Sequence, residues 1–322
     1  MDKFLSCDWG TSFFRLRLIQ FERLNVIAEE KNDRGIANTF RQWKDEGAVA
    51  EKRRAFFQAV ISENIQILSK RLDLDLTGIP VIITGMISSS IGMIELPYKE
   101  TPAAIDGSDL SIKKLVTEEG GHEFIIVSGI KTDRDVIRGE ETKVVGCASF
   151  LPDTKSEKLL IFTGTHPKHV TIQNQHIVNI KTYMTGEFFS LLGNYSVLAA
   201  SIKATKDFYK QANQESFEAG VKDSLNSNLL HSAFWVRTND ILRNIPAENN
   251  FYYLSGLLIG TELKGLLNYE FPVYLCGGVD LIPYYKLACE TLGITVAMQI
   301  DADEALLKGQ KQLYSMYIGG KL

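Results

Sequence analysis

Residues 4–19, FLSCDWGTSFFRLRLI, constrain the fold most. Apolar, β-branched and aromatic residues flank a short polar centre, the pattern of strand, tight turn, strand. Asp8 closes the first strand, Gly10 lets backbone approach a ligand, and Thr11 and Ser12 offer N–H and hydroxyl donors. Such a turn suits phosphate oxygens, and a carboxylate beside it suits Mg²⁺ held through water. Arg15 could reach back over the same phosphates as a fixed positive charge. Taken alone, the run is equally an ordinary hairpin with a polar turn, so the reading needs partners further along.

With 322 residues the chain has room for two domains or one large α/β unit. Its 45% hydrophobic and 23% charged content is ordinary for a globular protein. A net charge of -4 argues against nucleic acid or an acidic membrane surface as the main partner. Cys7, Cys147, Cys276 and Cys289 are far apart, which points to neither a zinc site nor a disulfide framework. No basic segment precedes a long apolar run, and no apolar stretch reaches about 18 residues, so a reducing cytoplasm is the expected location.

Residues 24–32 read as a third strand, 34–36 as a turn, and 48–71 as an amphipathic helix with Ala55, Phe56, Ala59, Val60, Ile65 and Leu68 at helical spacing. Residues 79–84 read as a buried parallel strand ending in the small, polar loop 85–92. Ligands sit at the carboxyl ends of such strands, so this is a substrate loop or a plain connection. A further strand at 124–127 leads to residues 135–146, a loop entering a helix with Glu140 and Glu141 in its first turn. These acids either match the helix dipole or supply a base for a sugar hydroxyl, with Arg138 facing an anionic group.

Residues 151–158, polar and carrying Pro152, mark a candidate domain boundary. Beyond it, a strand at 158–163 enters Gly164-Thr165-His166, and residues 168–170 resume a strand. This echo of the first hairpin points to a duplicated fold with one phosphate-binding turn in each half. His166 and His169 without neighbouring carboxylates are a weak metal signal and fit phosphate or substrate contact better. Thr185 reads as the N-cap of a helix at 188–198, residues 216–221 and 229–237 as helical pieces, and 253–263 as a core helix. A strand from residue 273 runs into Gly277-Gly278 and a helix start, where a nucleotide can lie against backbone N–H groups. A last strand at 296–300 precedes a closing helix at 303–314, capped by Asp301 or Asp303.

The order of Asp8-x-Gly10-Thr11, Gly164-Thr165 and Gly277-Gly278 resembles the phosphate-1, phosphate-2 and adenosine motifs shared by sugar kinases, heat-shock chaperones and actin. Within that superfamily the chain is similar to 2-dehydro-3-deoxygalactonokinases. The resemblance is carried by DWGTSFFRLRL, GMISSSIGMIELPY, DVIRGEETKVVG, FTGTHPKHV, YMTGEFFSLL, YLSGLLIGTEL and LCGGVD, which follow in family order. It implies an α/β, two-lobed ribonuclease H-like fold of the actin/hexokinase type, duplicated, with ATP in a cleft between the lobes. Residues 1–154 would form the N-terminal lobe, completed by the helix 303–322, and residues 155–302 the C-terminal lobe.

The resemblance further implies an ATP-dependent kinase acting on the 6-hydroxyl of 2-dehydro-3-deoxy-D-galactonate. Asp8 would bind Mg²⁺ through water, and Gly10, Thr11, Ser12 and Arg15 would face the terminal phosphates. Gly164, Thr165 and His166 would meet the transferred phosphate, with Gly277 and Gly278 under the adenosine. Ser89, Tyr98, Arg138 and Thr185 would line the acid-sugar pocket. Sugar kinases of this superfamily place an aspartate base at the head of the helix before the phosphate-2 strand. Glu140 and Glu141 stand there, with Asp135 nearby, and Glu140 is preferred. The chain departs from the family at Pro167 and His169, where serine and tryptophan are common, and at Met93, which replaces a tryptophan of the sugar loop.

Two rivals remain: a kinase for a different acidic sugar, and an ATP-regulated binding protein of the same fold. The second needs a peptide-binding domain or polymer-forming insertions, for which 322 residues leave no room. The expected partner is a small sugar acid, with neither nucleic acid nor membrane, and homodimer formation is left open.

Overall fold

The structure, a computed structural model, describes residues 2–47, 49–117 and 121–320. In chain order the elements are β1 (Lys3–Trp9), β2 (Phe14–Gln20), β3 (Val26–Asn32), α1 (Ile36–Asp45), α2 (Arg53–Leu72), β4 (Val81–Gly85), β5 (Lys99–Glu100), β6 (Ala103–Ala104), β7 (Ile112–Val116), β8 (Glu123–Val127), β9 (Ile130–Lys131), β10 (Val136–Ile137) and α3 (Glu140–Cys147). They continue with β11 (Lys158–Phe162), β12 (Lys168–Gln173), β13 (His176–Thr182), α4 (Thr185–Tyr195), α5 (Gln211–Leu225), α6 (Leu229–Ser232), α7 (Trp235–Arg243), α8 (Ala247–Leu263), β14 (Val273–Gly277), α9 (Ile282–Leu292), β15 (Val296–Asp301) and α10 (Ala302–Ile318). The chain divides into two units: Met1–Lys155 with Gln173–Ile180 and Asp303–Leu322, and Ser156–Ile172 with Lys181–Ala302.

The first unit is built on a sheet of order β3-β2-β1-β4-β8-β7. β1 pairs antiparallel with β2 and parallel with β4, which pairs parallel with β8. The central strands are buried almost throughout because both faces of the sheet are covered. On one face Trp9, Phe14, Leu16, Ile83 and Ile126 pack against Phe57, Ile61 and Leu68 of α2. On the other, Phe4, Ile19, Ile82 and Ile125 meet Leu307 and Tyr314 of α10. Helices α3 and α10 cross closely: a Cβ on Gly146 would stand 1.7 Å from the Ala305 carbonyl, and one on Gly309 1.9 Å from that of Thr142.

The second unit repeats the plan. β11 pairs antiparallel with β12 and parallel with β14, which pairs parallel with β15. β11, β12, β14 and β15 thus hold the places of β1, β2, β4 and β8, and the expected duplicated α/β, ribonuclease H-like fold is present. Its core joins Leu159, Ile161 and Leu275 of the sheet to Phe217, Tyr252, Ile259 and Tyr285 of the covering helices. Among the described residues no helix is long and apolar enough to cross a membrane.

Several local expectations change. Residues 34–36 are not a free turn: Gly35 is the N-cap of α1, which starts at Ile36. A glycine cap has no side-chain hydrogen bond and so leaves no capping signature in the sequence. The helix expected over 48–71 starts at Arg53, after a 3₁₀ turn at Ala50–Lys52, and residue 48 lies outside the described residues. α4 starts at Thr185 with Met184 as N-cap, so Thr185 is its first residue and not its cap.

Candidate active site

In the first unit the phosphate-1 turn is tied down by a helix end. The N–H groups of Ile36 and Ala37, unsatisfied donors at the start of α1, bond the carbonyls of Gly10 and Thr11 at 2.9 and 3.1 Å. Thr11 and Ser12 are left exposed. Asp8, one residue from the end of β1, is half-buried, and its carboxylate accepts a 3.1 Å bond from Arg15 across the β1–β2 pair. Arg15 is engaged more firmly by Asp303 at the head of α10, with bonds of 2.8 and 2.6 Å. Buried Arg17 lies 3.2 Å from the same carboxylate. Burial tends to raise the Asp303 value, but the hydrogen bond and charge of Arg15, with Arg17 and Lys143, hold it below the usual carboxylate range. Asp303 belongs to this charge cluster, a role its reading as a helix cap did not include.

The head of α3 is brought to the same strand end. Gly139, at φ 110°, is the N-cap, and a Cβ there would stand 3.1 Å from the Cα of Gly85. Gly85 is in turn paired with Trp9, the residue after Asp8. Of the two acids that follow, Glu140 is half-buried and Glu141 is 1% exposed. Glu140 accepts from the backbone N–H of Arg138 at 3.3 Å. Glu141 accepts from the N–H of Gly139 and from the Thr142 hydroxyl, bonds that fix the turn entering α3. Burial, then the neighbouring Glu140 charge, push the Glu141 carboxyl up to about 7 against those hydrogen bonds. Glu140 is therefore the acid with an accessible carboxylate, while Glu141 holds the helix head from within. Asp135 carries its backbone bond to Thr132 in the preceding loop.

Arg138 is almost buried and organises the loop that follows β4. Its guanidinium donates to the Ser88 carbonyl and hydroxyl, to the Leu96 carbonyl at 3.3 Å and to the Tyr98 hydroxyl at 3.2 Å, while lying 4.0 Å from the centre of the Tyr98 ring. Ser89 turns inward, its hydroxyl bonded to the Met86 carbonyl. Met93 is in the hydrophobic core under the loop. A lysine cannot reproduce that fork. Arg138→Lys is expected to lower unfolding free energy by about 1–3 kcal/mol, read by urea denaturation.

In the second unit the phosphate-2 turn is held in the same manner. Gly186 and Glu187, at the start of α4, donate their N–H groups to the Thr165 carbonyl at 3.0 and 3.2 Å. Thr165 and His166 are exposed, and His166 Nε2 lies 2.6 Å from Glu187 Oε2. His169 points to the opposite side, into the interior, 3.0 Å from Glu262. The two imidazoles thus have separate partners and form no metal pair.

Glu262, nearly fully buried, also accepts from the hydroxyls of Thr185 and Tyr285 at 2.5 and 2.8 Å. This cluster escaped the sequence reading, though a signal existed: Glu262 is the one charge in the apolar run 253–263. Thr185 therefore faces Glu262 in the second unit, while Ser89, Tyr98 and Arg138 belong to the first. A pocket of about 150 Å³ opens beside this cluster, lined by Gly164, Thr185, Phe189, Phe251, Tyr284 and Tyr285 among others.

These residues fit a nucleotide. Space is open where side chains on Gly164 and Gly278 would stand, and the buried Thr163 hydroxyl at the end of β11 has no hydrogen-bond partner. Gly277 is closed, because a Cβ there would stand 2.1 Å from that hydroxyl. No cluster of three or more metal-ligating side chains occurs among the described residues.

The family model described as 2-keto-3-deoxy-galactonokinase matches residues 8–313. The 2-dehydro-3-deoxygalactonokinase of Escherichia coli (strain K12) is 31% identical over 242 residues, 73% of this chain and 78% of that protein. A Rhizobium meliloti (strain 1021) protein provisionally given the same name is 30% identical over 318 residues, 95% of this chain and 94% of its own. A crystal structure from Sinorhizobium meliloti, provisionally named for the same kinase, superposes with a TM-score of 0.76 at 28% identity, covering 98% of this chain and 99% of that one. The chain belongs to the 2-keto-3-deoxy-galactonokinase family and is a carbohydrate kinase.

Proposed function

We propose that this kinase transfers the terminal phosphoryl group of ATP to the 6-hydroxyl of 2-dehydro-3-deoxy-D-galactonate. One observation supports it beyond family membership: Glu140 stands at the head of α3, which Gly139 and Gly85 bring to the strand end that carries Asp8. Phosphoryl transfer asks for positioning and charge stabilisation more than covalent chemistry from the protein. Bound ATP with Mg²⁺ supplies the phosphoryl group and a charge that neutralises its oxygens. Asp8 would hold the metal, and Gly10, Thr11, Ser12 and Arg15 would hold the terminal phosphates. Arg15 keeps its Asp303 bond in this role, which fixes its direction. Gly164, Thr165 and His166 meet the transferred phosphate, and Gly277 and Gly278 flank the adenosine, with the aromatic pocket beside Gly164 taking its flat base. Glu140 orients the sugar hydroxyl and takes its proton. Ser89, Tyr98 and the loop braced by Arg138 shape the acid-sugar site, and Thr185 supports the phosphate-2 side through α4.

An ADP-release assay over a panel of sugar acids tests this reading. Turnover is expected with 2-dehydro-3-deoxygalactonate, to be dependent on Mg²⁺, and to be lost by at least about 100-fold in Asp8→Asn. Turnover with a different acid alone would move the assignment to that substrate. None with any acid would favour a binding protein.

A further inference from the structure

We infer that the outer face of the α4, α6 and α7 layer in the second unit is where two copies of this chain pair. Helix α4 has one charged residue, Glu187, and apolar side chains on both sides. Phe189 and Leu192 turn toward α8, while Phe188, Leu191 and Tyr195, spaced i, i+3 and i+7, form an outward stripe. None of its residues is fully buried. A helix apolar all round belongs inside, so its outer face lacks a cover in the single chain.

Neighbouring segments packed in the same cluster on α8 also expose apolar side chains. The 3₁₀ turn Val197–Ser201 packs against both α4 and α7. Val197 is 68% exposed, Leu242 on α7 73%, Tyr195 84%, and Leu230 on α6 89%. Large apolar side chains present on the order of 200 Å² each when free, so these six partly exposed groups together offer at most roughly 800 Å². Exposed apolar patches on monomers run to about 300–600 Å², whereas a stable interface takes about 800 Å² from each partner. Of the charges among them, Arg237 pairs with Asp240 at 2.8 Å and both bond Ser201, while Arg243 donates to the Asn239 side chain. A surface of this size matches the apolar interfaces of homodimers, in which a two-fold axis sets one patch against its own copy.

The inference does not depend on which sugar acid is phosphorylated. Analytical ultracentrifugation at micromolar concentration tests it directly. The wild-type chain is expected to sediment at twice the chain mass. Leu230→Glu/Leu242→Glu places two charges in each half of the interface and is expected to weaken pairing by at least about 100-fold, with an unchanged circular dichroism spectrum. The milder pair Leu230→Ser/Leu242→Ser, which introduces no charge, is expected to weaken it by a smaller factor. A wild type sedimenting as a single chain would overturn the inference and assign the face to another partner. A glutamate double variant that stays dimeric would overturn it too, placing the contact elsewhere.

Discussion

Glu140→Gln is expected to lower kcat by at least about 100-fold while leaving the KM for ATP within about threefold. The substitution keeps the size of the side chain and its bond from the Arg138 N–H, and removes its charge and its capacity to take a proton. Near-normal turnover would remove Glu140 from the base role. Glu141→Gln should behave differently, because Glu141 is buried and its contacts are to Gly139 and Thr142. Its turnover is expected to stay within about tenfold of wild type, short of the loss that removal of a base produces.

The pH dependence of stability separates the two further. The Glu141 carboxyl stands at about 7 in the folded chain against an ordinary value of 4.5, so between these the folded chain holds a proton that the unfolded chain releases. The associated stability is fully present below the unfolded value and is lost as pH rises through about 7. A difference of that size amounts to about 3 kcal/mol. Urea denaturation of wild type at pH 5 and pH 8 is expected to show a decrease of about 2–3 kcal/mol that Glu141→Gln lacks. Equal decreases in both would mean that Glu141 titrates normally.

Glu262→Leu is expected to destabilise the protein by about 3–5 kcal/mol, the largest loss from any single side chain discussed here. Leucine matches the apolar surroundings, but it leaves His169 Nε2 and the hydroxyls of Thr185 and Tyr285 without their shared acceptor. Burial and the neighbouring Glu262 charge also hold the Tyr285 hydroxyl well above its ordinary value, which keeps it a donor. Glu262→Gln retains an acceptor and is expected to recover more than half of the loss. A urea midpoint for Glu262→Leu equal to that of wild type would show that the cluster contributes nothing to folding. Because Thr185 opens α4, whose N-terminus holds the Thr165 carbonyl, Glu262→Leu is also expected to raise the KM for ATP.

The parts of this architecture that were legible in the sequence are local. Both phosphate-type hairpins, the Gly277-Gly278 turn and the acids at the head of α3 are each written in a few adjacent residues, and the structure places them on β1–β2, β11–β12, β14 and α3. What was hidden depends on distant partners. Arg15 and Asp303 are 288 residues apart, and nothing near either one announces their pairing. Arg138 looked like a group awaiting an anion, yet carbonyls and hydroxyls of residues 88–98 already surround it. Met93, in the loop after β4, is buried in the core cluster beneath that loop, a placement its position in a small, polar stretch does not announce. Glu262 lay in a stretch read as plain core, where a lone acid marks a buried acceptor and its donors.

In both units the Gly-Thr turn is gripped from behind, through its carbonyls, by the first N–H groups of a helix. The anchor uses main chain alone, so it is indifferent to the identity of Thr11, Ser12, Thr165 or His166. Mutation can therefore retune the chemistry presented at the tip without loosening its foundation. Pro167, beside the second turn, leaves that grip untouched, since the N–H groups of Gly186 and Glu187 bond the Thr165 carbonyl.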